Sequence, residues 1–157
     1  MPRSIGEQLL REVPLLHSDQ DVGSAVRQII DAKVAALPVV DANGRLVGIF
    51  GEREFITAAF PGYLRELKYA AFVSHEAEEA LELRRECRDE TVQAHMNTEH
   101  IDVPSEFSDA QIAEIFLHHR VLIVPIADHG QVRGIITRWE FFKAIAERLL
   151  GEAPAGS

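Results

Sequence analysis

The chain has 157 residues, 46% hydrophobic and 26% charged, which supplies material for a core and excludes a disordered or fibrous composition. The net charge of -9 excludes a general nucleic-acid or anionic-membrane binder, because neutralising phosphates takes clustered Lys and Arg. Cys87 is the single cysteine, so an internal disulfide is excluded and a reducing, cytoplasmic setting is expected. Apolar runs fall short of the ~20 residues that span a bilayer. Near the N-terminus Glu7 and Arg11 interrupt the few apolar residues, unlike the h-region of a signal peptide.

In chain order, Val13-Pro-Leu-Leu16 is a short apolar stretch that predicts a first strand. Asp21 or Ser18 can cap a helix that carries Val22, Val26, Ile29 and Ile30 on one face. Leu37-Pro-Val-Val-Asp41, the turn Ala42-Asn43-Gly44-Arg45 and the segment from Gly48 predict a β-hairpin, since Asn-Gly tolerates positive φ. A helix follows from Glu52 to about Phe60. Residues 61–90 read as a helical insertion, with Tyr63, Leu64, Leu67 and Ala71 on one face and a charge-rich helix from Glu76 to Arg88. Cys87 lies in that stretch; it reads either as an incidental surface thiol or as one activated by neighbouring arginines.

The pattern then repeats. Ile101-Asp-Val-Pro104 is a second short apolar stretch, and Ser108 can cap a helix carrying Ile112, Ile115, Phe116 and Leu117. Val124-Pro-Ile-Ala-Asp128, the turn His129-Gly130-Gln131 and Gly134-Ile-Ile-Thr137 predict a second hairpin, and Arg138 to about Leu150 a last helix. Residues 151–157 are small and polar and predict a flexible tail. Each unit is thus strand, helix, strand, strand, helix: residues 1–60 and 91–150, an α/β (α+β) duplication around the insertion.

These two copies resemble the CBS domain, with a hydrophobic-Pro-Val-Val-Asp strand, a Gly-containing turn, and Gly-hydrophobic-hydrophobic-Thr-x-x-acid opening a helix. Thr91-Val-Gln-Ala-His-Met96-Asn is also similar to the segment that enters such a domain. The resemblance implies a tandem pair (a Bateman module) with pseudo-two-fold symmetry, commonly dimerised into a disc.

The second motif has a physical reading of its own. Gly134 permits close backbone approach. Thr137 stands at an N-cap position, and the amides beyond it, with Arg138, favour an anion such as phosphate. Thr137 and Glu140 also fit a capping box, which needs no ligand. The resemblance implies instead that Thr137 and Glu140 contact the ribose of an adenosine nucleotide, with Ile101, Asp102, Val103 and Pro104 gripping the adenine and Ile136 as a wall. The first copy carries Gly51 and Glu54 in place of Thr and the usual Asp, so its site is expected to be degenerate, with Arg53 as a residual phosphate contact. A His-Arg pair found in some relatives is replaced by Ala35-Ala36 and Leu122-Ile123; Arg138, with Arg120 or Lys33, takes that weight.

Competing constellations are weaker. His118 and His119 are adjacent on a helix and point about 100° apart, so they do not share a metal. His95 and His100 flank a loop. Trp139 can stack on a base or pack at an interface. Enzyme signatures such as Gly-x-Ser-x-Gly or His-Glu-x-x-His are absent from the sequence. The expectation is a non-catalytic regulatory module, a homodimer in the cytoplasm, binding AMP, ADP or ATP and acting on a separate effector protein, with no metal, nucleic acid or membrane. Two alternatives are a scaffold with vestigial sites and a binder of another adenosyl ligand such as S-adenosylmethionine.

Overall fold

The computed structural model describes residues 4–60 and 83–151. The first unit comprises β1 (Leu16–His17), α2 (Val22–Ala32), β2 (Ala36–Val40), β3 (Leu46–Gly51) and α3 (Glu52–Ala59), preceded by a short helix α1 (Ile5–Leu9). The second comprises α4 (Asp109–His118), β4 (Ile123–Asp128), β5 (Gln131–Thr137) and α5 (Arg138–Leu150). β1 runs parallel to β2, and β2 pairs antiparallel with β3. β4 pairs antiparallel with β5, and Val103 makes a lone parallel bridge to Ile126 where the first unit has β1. The two short entering strands are thus shorter than their apolar stretches predict. Pro14 and Pro104 explain it, since neither carries an N–H for a ladder.

Alternation along the hairpins builds three cores. Leu37, Val39 and Phe50 face α2 and join Leu16, Val22, Ala25 and Ile29. Val124, Ile126 and Ile136 face α4 and α5 and join Val103, Ile112, Ile115 and Phe141. The opposite faces carry Ala36, Ile49, Ile123 and Ile135, which pack on one another between the units with Val13, Val34 and Leu122 around them. Burial on both faces is why these strands read as continuous apolar runs rather than alternating ones. Each fully buried residue of Phe50's kind stabilises by about 2–3 kcal/mol.

Local signals close the elements. The Asp21 carboxylate accepts from Ser24 N–H at 2.7 Å, and Ser108 Oγ accepts from Gln111 N–H at 3.1 Å, so Asp21 rather than Ser18 caps α2. In the second hairpin His129 and Gly130 both have positive φ (52° and 84°), the backbone a two-residue hairpin turn demands. Two residues assigned to apolar helix faces turn outward: Ile30 is 67% exposed and Leu117 79% exposed. Ile30 follows buried Ile29 by one position, about 100° around the helix, and Leu117 follows buried Ile115 by two, about 200°.

The units exchange their entering segments. Arg11 N–H and C=O pair with Ile135 of β5, each at 3.0 Å. Asn97 pairs in the same way with Ile49 of β3, at 2.8 and 3.0 Å. α1 accordingly lies on the second unit: Ile5, Leu9 and Leu10 pack into its core, and Asp109 accepts from Ile5 and Gly6 N–H at 2.9 and 2.7 Å. α1 thus precedes the first unit along the chain but lies on the second unit in space. Helix α1 was not foreseen, although Ser4-x-x-Glu7 opens it, with Ser4 Oγ accepting from Glu7 N–H.

Most of the insertion, including Tyr63, Leu64, Leu67, Ala71 and Glu76, lies outside the described residues, as does the tail beyond Gly151. Its described end is not an α-helix: Arg85–Asp89 forms a 3₁₀ turn. Cys87 in that turn is only 4% exposed and packs with Ala58, Ala59 and Phe55. Burial pushes its thiol above the ordinary range, which Arg84 only partly offsets. It is neither a surface thiol nor an activated one. No described helix is long and apolar enough to cross a membrane.

Candidate functional site

Two clefts are related by the pseudo-two-fold axis. In each, one unit supplies the start of its last helix and the other the loop before its middle strand. The second cleft has a volume of about 680 Å³ and is lined by Thr137, Arg138, Trp139, Glu140 and Phe142 from β5–α5, Leu122 before β4, and Lys33, Val34, Ala35 and Glu52 from the first unit. That volume falls within the roughly 300–1,000 Å³ of small-molecule sites.

Local physics places the polar groups. Thr137 ends β5 and caps α5, its Oγ accepting from Glu140 N–H at 3.1 Å. The hydroxyl proton stays available to a ligand. Residues 138–140 form the first turn of α5, whose amides and dipole favour an anion. Lys33 ends α2 in a left-handed conformation (φ 58°), with its N–H returning to Ile29 and Ile30 C=O. This backbone turn carries the chain sharply from α2 toward β2 and sets Lys33 on the lip opposite Arg138. Glu140 completes only half of a capping box: its carboxylate accepts instead from Arg11 Nη1 at 3.1 Å, while Arg11 Nη2 donates to Ala32 C=O at 2.9 Å. Three cations, Lys33, Arg138 and Arg11, thus offset Glu52 and Glu140 here, in a chain that is strongly acidic overall.

Of the residues singled out in the sequence, Thr137, Arg138, Trp139, Glu140 and Lys33 come together in this cleft, and Arg120 does not. Gly134 and Ile136 lie further back in β5; Ile136 is fully buried among α4 and α5 side chains, and Gly134 faces the Arg11 backbone. Ile101, Asp102, Val103 and Pro104 are not brought to it. They follow Asn97, which pairs with the first unit, and reach the far edge of the second sheet at Val103–Ile126. The reason is the exchange of entering segments: the stretch beside Thr137 is that of the first copy, around Arg11. Arg11, Val34, Ala35, Leu122 and Phe142 were missed. The signal for them was Gly134 itself, which implies that another backbone crosses β5 at that point.

The first cleft is divided. A shallow hollow of about 420 Å³ is lined by Arg53, Glu54, Thr57, Ala94, His95 and Asn97. A slot of about 40 Å³ continues between Ala36, Ile49, Leu122 and Ile123, scarcely more than a water's ~30 Å³ share of the liquid. Arg53 Nη1 donates to Arg120 C=O at 3.0 Å and so ties together the two residues that could have served a phosphate. Glu54 accepts from Gly51 N–H at 3.0 Å as a helix cap. His95 pairs with Glu90 at 3.1 Å, and His100 lies 3.3 Å from Asp102 in an ion-pair arrangement without hydrogen-bond geometry. The two histidines do not meet.

Burial pushes the Glu54 carboxyl above the ordinary range, against the Gly51 N–H and Arg53. A carboxyl raised in the folded state costs stability once pH climbs past the unfolded value, about 4.3, and the cost levels off above the folded value. Glu54→Gln keeps an acceptor for Gly51 and removes the charge. Its thermal midpoint is expected to exceed wild type at pH 7, the gain shrinking toward pH 4. A lower midpoint at pH 7 would contradict this account of the cap.

Comparison with known proteins bears on the whole chain. The CBS domain family model matches residues 6–60 and 92–147. A CBS domain of a CBS-domain-containing membrane protein from Sphaerobacter thermophilus is 26% identical, with 89% of this chain and 86% of that one covered and a TM-score of 0.65. CBSX2, solved in complex with AMP, is 18% identical over 94% of this chain and 99% of that one, TM-score 0.66. A CBS-domain-containing protein from Agrobacterium tumefaciens is 23% identical over 90% of each chain, TM-score 0.65. With both repeats matched and the pairwise architecture shared, the chain belongs to the CBS domain family, as a tandem pair.

Proposed function

We propose that this CBS pair is a non-catalytic sensor that binds an adenosine nucleotide (AMP, ADP or ATP) in its second cleft and passes the binding event to a separate effector protein. The observation that carries the reading is the convergence of a buried hydroxyl (Thr137), a carboxylate (Glu140), an arginine at a helix start (Arg138) and a lysine from the other unit (Lys33) on one open cleft. A ribose offers hydroxyls to the first two. A phosphate suits the helix start and the cations. The AMP complex of CBSX2 supports the ligand class by analogy. A ligand contacting both units would favour one arrangement of the pair over others, which is the requirement for a regulatory output.

The reading includes a homodimer. Helix α5 leaves Trp139, Phe142, Ile145 and Leu149 exposed at helical spacing, and α3 adds Ile56. A second copy is the proposed cover for this stripe. Because Trp139 and Phe142, 5.6 Å apart between ring centroids, belong both to the stripe and to the cleft wall, ligand and dimer would be coupled. The cytoplasm is the proposed setting, as the lone buried thiol requires no oxidising compartment.

The test is calorimetric titration with AMP, ADP and ATP alongside sedimentation velocity with and without nucleotide. At least one nucleotide is expected to bind at micromolar to millimolar concentration to a dimer, and Thr137→Ala to weaken it about tenfold, the usual effect of one lost hydrogen bond. A dimer that binds none of the three at millimolar concentration favours the scaffold reading; binding of S-adenosylmethionine alone favours another adenosyl ligand.

A further inference from the structure

The duplication holds an internal control. Ile135 and Ile49 are equivalent by their places after Gly134 and Gly48, so their bridge partners Arg11 and Asn97 are equivalent too. Glu140 and Glu54 are likewise equivalent, three residues after Thr137 and Gly51. Where the partner is Asn97, the glutamate folds back and caps Gly51 N–H at 3.0 Å. Where it is Arg11, the glutamate leaves its own helix cap and reaches the guanidinium at 3.1 Å, a position in which it lines the open cleft.

We infer that Arg11 is a positioning residue for the second site, converting Glu140 from a helix cap into a carboxylate that reads the ligand's vicinal hydroxyls. The inference rests on the nucleotide reading above. Among the described residues Arg11 engages only Oε1 of Glu140, so Oε2 keeps its lone pairs for hydroxyl donors. Arg11 also offsets the carboxylate's charge, which would otherwise oppose an anionic phosphate nearby. Its second nitrogen holds Ala32 C=O, beside Lys33, so the same side chain links the two lips of the cleft. A glutamate is one methylene longer than an aspartate and has more conformers to lose. A fixed partner is the remedy. The residue comes from the opposite end of the chain, some 129 positions away, and reaches the site because the entering segments are exchanged.

The experiment compares AMP with 2′,3′-dideoxy-AMP on the full chain. Wild type is expected to prefer AMP by about tenfold, the contribution of hydrogen bonds to a charged acceptor. Arg11→Asn, which copies the first cleft, is expected to lower that ratio severalfold, leaving only the part that Thr137 supplies, while dideoxy-AMP affinity changes little. Glu140→Gln is expected to do the same, and the double variant to add nothing further. Arg11→Lys restores part of the ratio. If Arg11→Asn weakens both ligands equally and leaves the ratio intact, Arg11 is structural only and the inference fails while the nucleotide reading stands. If wild type binds both ligands alike, Glu140 does not read the hydroxyls and the inference fails. If wild type binds neither, the nucleotide reading falls and the inference with it. Should Arg11→Asn not fold, an unchanged ratio in Glu140→Gln overturns the inference.

Discussion

Gly51→Thr is expected to destabilise the protein by about 3 kcal/mol or more, and not to create a second competent site. By sequence the substitution looks restorative, since it gives the first copy the Thr-x-x-Glu of the second. The backbone forbids it. A Cβ on Gly51 would stand 2.4 Å from Ala35 O, 2.4 Å from Ala36 Cβ and 2.7 Å from Ala36 Cα. Two of those atoms belong to the main chain and the third is fixed to it, so no rotamer relieves the clash. In the second copy Thr137 occupies the equivalent position and is itself buried. Gly51 is the ladder partner of Ala36, as Thr137 is of Ile123, but in the first unit the two strands approach too closely there for a side chain. Gly51 is less a lost hydroxyl than a requirement of that close approach. Chemical denaturation is the measurement: the midpoint should fall with an unchanged slope. A variant as stable as wild type that also binds a second equivalent of nucleotide would show that the first cleft can open.

How much of this was legible in the residues depended on the range of the interaction. The duplicated hairpins, their turns and the limits of α5 follow from local signals: Pro-Val-Val-Asp41, positive-φ turn residues, and Thr137 as a cap. The polar trio of the second cleft was legible for the same reason, since Thr137, Arg138 and Glu140 are neighbours along one helix start. Of the other wall only Lys33 was legible, as one of two cations offered beside Arg138. Val34, Ala35 and Arg11 reach it across the pseudo-two-fold axis, and nothing in the spacing of a single copy tells which entering segment lies beside which motif. Assigning Ile101, Asp102, Val103 and Pro104 to the cleft assumed that each unit is built from its own contiguous residues. The pairing of Arg11 with Ile135 and of Asn97 with Ile49 shows that it is not. The outward turn of Ile30 and Leu117 is a smaller case: one or two positions from a buried residue is about 100° or 200° around a helix, past the edge of its apolar face.

The exchanged segments make the two motif glycines unequal, and the inequality is measurable. At Gly134 an added Cβ would lie 2.5 Å from Arg11 O and 3.0 Å from Arg11 C, both main-chain atoms held in the β5 pairing. At Gly48 the nearest atoms are Met96 Sδ at 2.9 Å and Cγ at 3.0 Å, with Asn97 O at 3.0 Å. A methionine side chain yields by changing rotamer, and the Asn97 O contact at 3.0 Å is relieved by a few tenths of an ångström, whereas the paired Arg11 O at 2.5 Å must move much further. In favour of both substitutions, alanine removes the entropy that glycine loses in a strand, about 0.5–1 kcal/mol. Gly48→Ala is therefore expected to lie within about 1 kcal/mol of wild type, and Gly134→Ala to cost about 3 kcal/mol. The larger loss should come with local release of the N-terminal segment, read as faster amide exchange at Arg11 and Ile135 against unchanged exchange at Ile49. That release would also withdraw the Arg11 guanidinium from Glu140, so nucleotide affinity should fall in Gly134→Ala and hold in Gly48→Ala. Equal costs at the two glycines, or a greater one at Gly48, would mean that the entering segments are not what these positions accommodate.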